Sequence, residues 1–250
     1  MLYRYCEKEP GMYKVSGLHS WLTNLDADVL RALKEKSRQR DYSAREYVYK
    51  LGDPSSYCYV VESGRIRMCN YTADGHEIVM MEFFDGDCFG ESSTLENLPR
   101  FNHACAVQDS RLSVISRDDF LLLYDKYPQI ARSLNTMLAG RLRVAYGNAE
   151  DAAGLALRDR VARLVLRRGY SLEADPRGHR VISGLSHEVV ANMLGSSRQA
   201  VSRELKALER DGFLELHYGK IVVSDIEALG SAFGRLISDE TVVPDYQFGH

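Results

Sequence analysis

A chain of 250 residues with 45% hydrophobic content can bury one large or two modest cores, and two is the reading adopted. Its 27% charged fraction and freedom from low-complexity runs exclude extensive disorder; no apolar run nears the roughly 20 residues of a membrane helix, and the opening MLYRYCEKEP lacks a leader's apolar core, so a cytoplasmic protein with no membrane partner is expected. The formal net charge of −3 argues against a uniformly basic nucleic-acid binder, yet Leu155 to Ser224 hold 12 basic and 8 acidic residues, a local excess of +4.

Taken in chain order, LDADVLRALKEKSRQRDY (Leu25 to Tyr42) reads as a helix, with Asp26 or Asp28 near its start and Val29, Leu30 and Leu33 on one side. From Tyr47 to Phe84 come short runs rich in Tyr, Val and Ile, broken at Gly52-Asp53-Pro54, Ser63-Gly64 and Asp74-Gly75, the last a hairpin signal. These are expected to be antiparallel strands of a small barrel or sandwich, closed by a strand from Arg111 to Ser116. RDDFLLLYDKYP then returns to helix, with Asp118 or Asp119 near its N-terminus.

Pro128 to Ala153 form one long helical pattern in which Leu134, Leu138, Leu142, Ala145, Ala149 and Ala152 recur every three or four residues. Such a helix reaches about 39 Å, more than a small barrel needs for cover. It either packs on its own barrel or forms a seam between two copies; the spacing favours the seam, with Leu134, Leu138, Leu142 and Ala145 in a homodimer interface. A boundary near Ala153-Gly154 precedes another amphipathic helix, ALRDRVARLVLRRGY, and a turn-rich link, ADPRGHRVIS, into a short strand. The domains expected are therefore 1–127, a long helix over 128–154, 155–238 and a tail over 239–250.

The stretch HEVVANMLGSSRQAVSRELKALERDGF, His187 to Phe213, holds two short amphipathic helices around a Gly-Ser-Ser joint. Val190, Met193 and Leu194 face inward on the first, which Ser186 can cap and in whose first turn Glu188 lies. Gly195 supplies the turn, and Ser196 or Ser197 caps the second helix. There Val201, Leu205 and Leu208 recur at i, i+4 and i+7, leaving Arg198, Gln199, Ser202, Arg203 and Lys206 outward. A helix presenting Arg and Gln near its N-terminus suits the major groove, where guanidinium can pair with guanine O6 and N7. Phe213 to Leu216, a turn at Tyr218-Gly219 and Lys220 to Val223 add a β-wing, which makes a winged helix-turn-helix on double-stranded DNA the reading. Ser186, Ser196 and Lys220 are expected to position it on phosphate.

The five cysteines, Cys6, Cys58, Cys69, Cys88 and Cys105, lack C-x-x-C spacing and read mostly as buried small apolar groups, with no metal site expected. The chain has no G-x-S-x-G, H-E-x-x-H or P-loop pattern, so an enzyme is not expected.

GDPSSYCYVVESGRIRM (Gly52 to Met68), DGDCFGE (Asp85 to Glu91) and LSHEVVANMLGSSRQAVSRELKALERDGFLELHYGKIVV (Leu185 to Val223) together resemble the CRP/FNR family of bacterial transcription regulators, over roughly Leu25 to Leu229. The resemblance implies an α+β fold: an N-terminal β-roll sensor domain of the cyclic-nucleotide-binding kind, a long dimerisation helix and a C-terminal winged helix-turn-helix. By position it makes Arg198 and Arg203 groove readers. Gln199 stands where many members have a glutamate, so the letters of the expected palindrome are left open.

In nucleotide-binding members a Gly-Glu followed by Arg-Ser holds phosphate and ribose. Here Gly90, Glu91 and, with a one-residue gap, Arg100 match, while Phe101 replaces the serine, and Ala145 and Tyr146 stand where the adenine-facing Thr and Ser would be. The resemblance therefore implies a small-molecule effector other than cyclic AMP, bounded by Phe101, Tyr146 and the roll; cyclic AMP is the alternative, and no cofactor is assigned. Only Cys6 stands where the iron–sulfur branch clusters its cysteines, and His76 and His103 read as surface or packed residues before haem ligands. RNA polymerase is a partner by resemblance alone. A ligand-sensing module acting on a protein partner is the rival of another class.

Overall fold

The computed structural model describes residues 13–15, 18–234 and 242–244; Cys6 and all of the tail expected after Ser238 except 242–244 lie outside them. In chain order the elements are β1 (Tyr13–Val15), α1 (Ala27–Lys36), β2 (Arg38–Tyr42), β3 (Tyr47–Tyr49), β4 (Tyr57–Ser63), β5 (Ile66–Tyr71), β6 (Glu77–Phe83), β7 (Cys88–Phe89) and α2 (Glu91–Glu96). There follow β8 (His103–Ala106), β9 (Ser110–Ser116), α3 (Arg117–Lys126), the long α4 (Pro128–Gly154), α5 (Leu157–Ser171), β10 (Arg180–Ser183), α6 (His187–Leu194) and α7 (Arg198–Arg210). The last are β11 (Glu215–His217), β12 (Lys220–Val223), α8 (Ile226–Phe233) and β13 (Val242–Pro244). The described residues form two compact units, one of 18–143 with 187–200, the other of 13–15, 144–186, 201–234 and 242–244.

The first unit holds two four-stranded antiparallel sheets, ordered β2-β9-β4-β7 and β3-β8-β5-β6. Strand alternation buries the first sheet on both faces. Tyr59 and Val61 of β4 join Ile66, Phe83, Phe89 and Leu112 in one cluster, where the Tyr59 and Phe89 rings stack at 4.9 Å. Cys58 of β4 and Ile115 of β9 point the other way, into a cluster with Trp21, Val29, Leu33, Phe120, Ile130, Leu134 and Met137 from the helices.

Two expectations are corrected here. The helix read as far as Tyr42 ends at Lys36: Ser37 turns extended (φ −91°, ψ 152°), its hydroxyl donates to Leu33 O at 2.7 Å, and Arg38–Tyr42 pairs with β9. Four of these five strand residues are exposed on an edge, so they show no alternation, and Arg111 Nε bonds Asp41 Oδ1 across the strands at 2.7 Å. Leu134, placed in the dimer seam, is instead fully buried in its own protomer's core with Ile130 and Met137. The α4 pattern serves two faces at once. Leu138 packs partly on that core, Leu142 is 52% exposed, and Ala145 is exposed.

Burial pushes the Cys88 thiol up to about 12 and the Cys69 thiol up to about 11, so both act as small apolar fillers. His103 accepts a hydrogen bond on Nδ1 from Leu51 N–H at 3.3 Å and lies edge-on to Tyr47 and Tyr71, a packed residue. His76 lies exposed beside Asp74.

The second unit is built on α5, which buries Val161, Ala162, Val165 and Leu166, and on α8, which buries Ile226, Leu229 and Phe233. Its antiparallel sheet is ordered β10-β12-β11, and β1 pairs in parallel with β13.

Candidate functional site

The helix-turn-helix follows from local chemistry. After α6, Gly195 takes a left-handed φ of +58°, and Ser196 N–H returns to Ala191 O at 3.0 Å, closing the turn. Of the two serines, Ser197 is the cap: its Oγ accepts from Ala200 N–H at 3.2 Å. Along α7, Val201, Leu205 and Leu208 are fully buried. Arg198, Gln199, Arg203 and Lys206 are exposed on the opposite side and Ser202 is half-buried, as the helical spacing requires. Ser186 lies exposed just ahead of α6, and Ser196 is half-buried in the turn.

The wing is tied to the end of α7. Phe213 N–H donates to Leu208 O at 3.0 Å, and Glu209 Oε1 accepts Leu216 N–H at 2.8 Å, fixing where β11 leaves the helix. β11 and β12 pair with Lys220 opposite His217, and Gly184 N–H donates to Gly219 O at 2.9 Å, which anchors the turn to the segment after β10. Lys220 is exposed, and Tyr218 at the tip has no cover at all (104%). Sequence reasoning treated Tyr218 only as a turn residue; an aromatic ring at a polar turn is the signal that was there to use. An exposed row of Arg, Gln and Lys on one helix, with Lys220 on the wing, can bond base edges and phosphates.

The sensor cassette is built at the β7–α2 junction. Gly90, φ +87°, precedes α2, and a Cβ there would come within 3.1 Å of Arg100 Nη1 and of Tyr59 Cδ2, so only glycine fits. Arg100 is 2% exposed; Nη1 donates to Gly90 O at 2.7 Å, Nη2 donates to Tyr57 O, and the guanidinium lies 4.3 Å over the Tyr49 ring. Burial beside this ring pair pushes the Tyr59 hydroxyl up to about 12 and the Tyr49 hydroxyl higher still. Glu91 is 1% exposed and paired with Arg141 of α4, whose Nε donates to Leu18 O at 2.7 Å and Nη2 to Cys88 O at 3.1 Å.

The structure thus brings Gly90, Glu91 and Arg100 together, and adds Arg141, which sequence reasoning missed. Its signal was a charge continuing the buried stripe of Ile130, Leu134 and Met137. Phe101 is 49% exposed, and its carbonyl accepts from Asn70 Nδ2 at 3.1 Å; Tyr146, 63% exposed, belongs to the other unit.

A cyclic nucleotide needs the guanidinium of Arg100 for phosphate and the carboxylate of Glu91 for ribose. Each terminal nitrogen of Arg100 gives one of its two N–H groups to a carbonyl, and Glu91 is paired with Arg141. Arg100 Nε and Glu91 Oε2 have no hydrogen-bond partner among the described residues, but both atoms are enclosed. As arranged, Arg100 and Glu91 are 2% and 1% exposed, so a nucleotide would reach them only after the residues around them moved.

A family model described as cyclic nucleotide-binding domain matches residues 39–127, and one described as Crp-like helix-turn-helix domain matches residues 159–232. The cyclic AMP receptor protein of Thermus thermophilus is 31% identical over 198 residues, covering 79% of this chain and 89% of its own. The CRP-like cAMP-activated global transcriptional regulator of Mycobacterium tuberculosis is 26% identical over 206 residues, 82% of this chain and 92% of its own. Among solved structures, the c-di-GMP responsive global regulator CLP of Xanthomonas campestris superposes with a TM-score of 0.69 at 25% identity, covering 80% of this chain and all of that one.

Proposed function

Because this chain belongs to the CRP/FNR family of DNA-binding transcription regulators, we propose that it binds a palindromic operator as a homodimer under the control of a small-molecule effector other than cyclic AMP. The observation that carries the DNA half is α7, whose buried Val201, Leu205 and Leu208 leave Arg198, Gln199 and Arg203 exposed to read bases. Ser202 and Lys206 share that face, and Ser186, Ser196 and Lys220 hold phosphate. Two such readers sit one helical turn apart on the duplex, about 34 Å. Leu138, Leu142 and Ala145 supply the seam; Leu134 does not.

The effector half is carried by Arg100 and Glu91, which are 2% and 1% exposed and already bonded to groups inside the protein. The relatives themselves bear names that mention cyclic AMP and c-di-GMP, so kinship leaves the ligand open. A regulator of this kind shifts between two pairings of the long helices, and the effector acts only by binding one of them more tightly.

Calorimetric titration with cyclic AMP, beside Arg100→Ala, tests the effector half. Absence of heat and of thermal shift is expected. Micromolar binding that the variant loses would restore the cyclic AMP alternative. For the DNA half, duplex affinity is expected to fall steeply with salt, because phosphate contacts release counterions. A salt-insensitive association with protein alone would favour the rival module.

A further inference from the structure

The long helix and the one after it meet across two residues. Leu155 N–H still donates to Asp151 O at 3.0 Å, finishing α4, and Arg160 N–H donates to Ala156 O at 3.1 Å, beginning α5. Ala156 offers no side-chain cap. A two-residue link of this kind has little of its own to fix the angle between the helices.

Side chains supply what the link lacks. Asp151, on the last turn of α4, is 5% exposed; its Oδ2 lies 2.8 Å from Arg167 Nη1 and its Oδ1 2.9 Å from Arg163 Nε, the latter a charge contact without hydrogen-bond alignment. Arg167 Nη1 also donates to Asn148 Oδ1 at 3.2 Å, and Arg163 Nη1 donates to the carbonyls of Phe233 (3.3 Å) and Gly234 (3.0 Å) at the end of α8. Asn148 and Asp151 are three residues apart on one helix, and Arg163 and Arg167 four apart on the next, so each pair shares one face. The resulting clip spans the joint and reaches a third helix, all within the second unit. Arg163 and Arg167 are 4% and 6% exposed, and in that low dielectric any motion separating these charges is strongly opposed.

We propose that Asp151 is a positioning residue: through Arg163 and Arg167 it locks the last turns of α4 to α5 and α8, so the winged domain does not swing at residues 155–156. This rests on the two-reader arrangement proposed above. A stiff joint leaves the separation of the readers to the pairing of the long helices, so in the DNA-binding pairing the protein should discriminate sharply between half-site spacings.

The test uses the full chain, with Asp151→Asn and the milder Arg167→Gln, the latter carrying it should the former not fold. Amide hydrogen exchange over residues 152–158 is expected to speed by about tenfold or more, with the β-roll unchanged. The affinity penalty for adding one base pair between half-sites is expected to shrink by about threefold or more relative to wild type. Unchanged exchange at the joint, or faster exchange with the spacing penalty intact, overturns the proposal. Wild-type protein indifferent to spacing would count against the two-reader arrangement instead, and the exchange result would still decide the clip.

Discussion

A guanidinium that reads a base and an ammonium that neutralises a phosphate fail differently when removed. Arg203→Ala is expected to cost about 1 to 3 kcal/mol on the true operator and to relax preference at one base, while Lys220→Ala weakens all duplexes alike and lowers the salt slope by about 1. Titrations of operator and scrambled duplex at several salt concentrations separate the two. Asp87 gives a pH prediction. Its Oδ2 accepts Phe84 N–H at 2.8 Å, which favours the ionised form, but burial outweighs that bond and pushes the carboxyl up to about 6. A folded value above the unfolded one means the native state holds the proton more tightly, so this group's stabilisation is present below about pH 4 and lost as pH rises through about 6, up to about 3 kcal/mol. Asp87→Asn should flatten that part of the urea-unfolding profile; an identical slope in the variant would remove Asp87 as its source. At this scale the sequence named Gly90, Glu91 and Arg100 but not their partners. Arg141 lies 50 residues beyond Glu91 and Tyr57 lies 43 before Arg100, separations at which no local pattern speaks.

Elements were legible where one face is buried and the other wet. The stripe of Val201, Leu205 and Leu208, the Gly195 turn and the capping serines announced α7, and Asp74-Gly75 announced the β5–β6 hairpin. β2 was not legible, because its exposed, charged edge carries no alternation and follows a helix without a glycine or proline to mark the change. In α4 the periodicity was clear but not its destination: a single recurring stripe cannot say which leucine meets its own core and which meets a second copy. Burial assigns Leu134 to its own core and leaves Leu142 exposed for the proposed seam. Leu134→Ala is expected to cost about 2 to 5 kcal/mol of stability while leaving dimers intact. Leu142→Glu should leave the fold alone and weaken the dimer by about tenfold or more by placing charge in an apolar seam, as read by light scattering across a dilution series. Unchanged mass on dilution would take Leu142 out of the interface.

On the scale of the whole molecule, one helix carries two buried ion pairs, each inside its own unit. Arg141, midway along α4, holds Glu91 of the cassette, and Asp151, on its last turn, holds the arginines of α5. The cassette's Arg100 and Glu91 are buried and bonded to other residues of the chain, which is why the proposed effector is not the nucleotide its motif suggests. The net charge of −3 hid the reader, because it averages away the exposed Arg198, Arg203, Lys206 and Arg210 of α7. The account stands most directly on sequence-specific recognition by that surface. Selection of bound duplexes from a randomised pool, with wild type and Arg203→Ala in parallel, tests it. An inverted repeat with half-site centres about 10 base pairs apart, blurred at one symmetric position by the variant, is the predicted result. A pool that shows no enriched motif, or the same motif for both proteins, would contradict it.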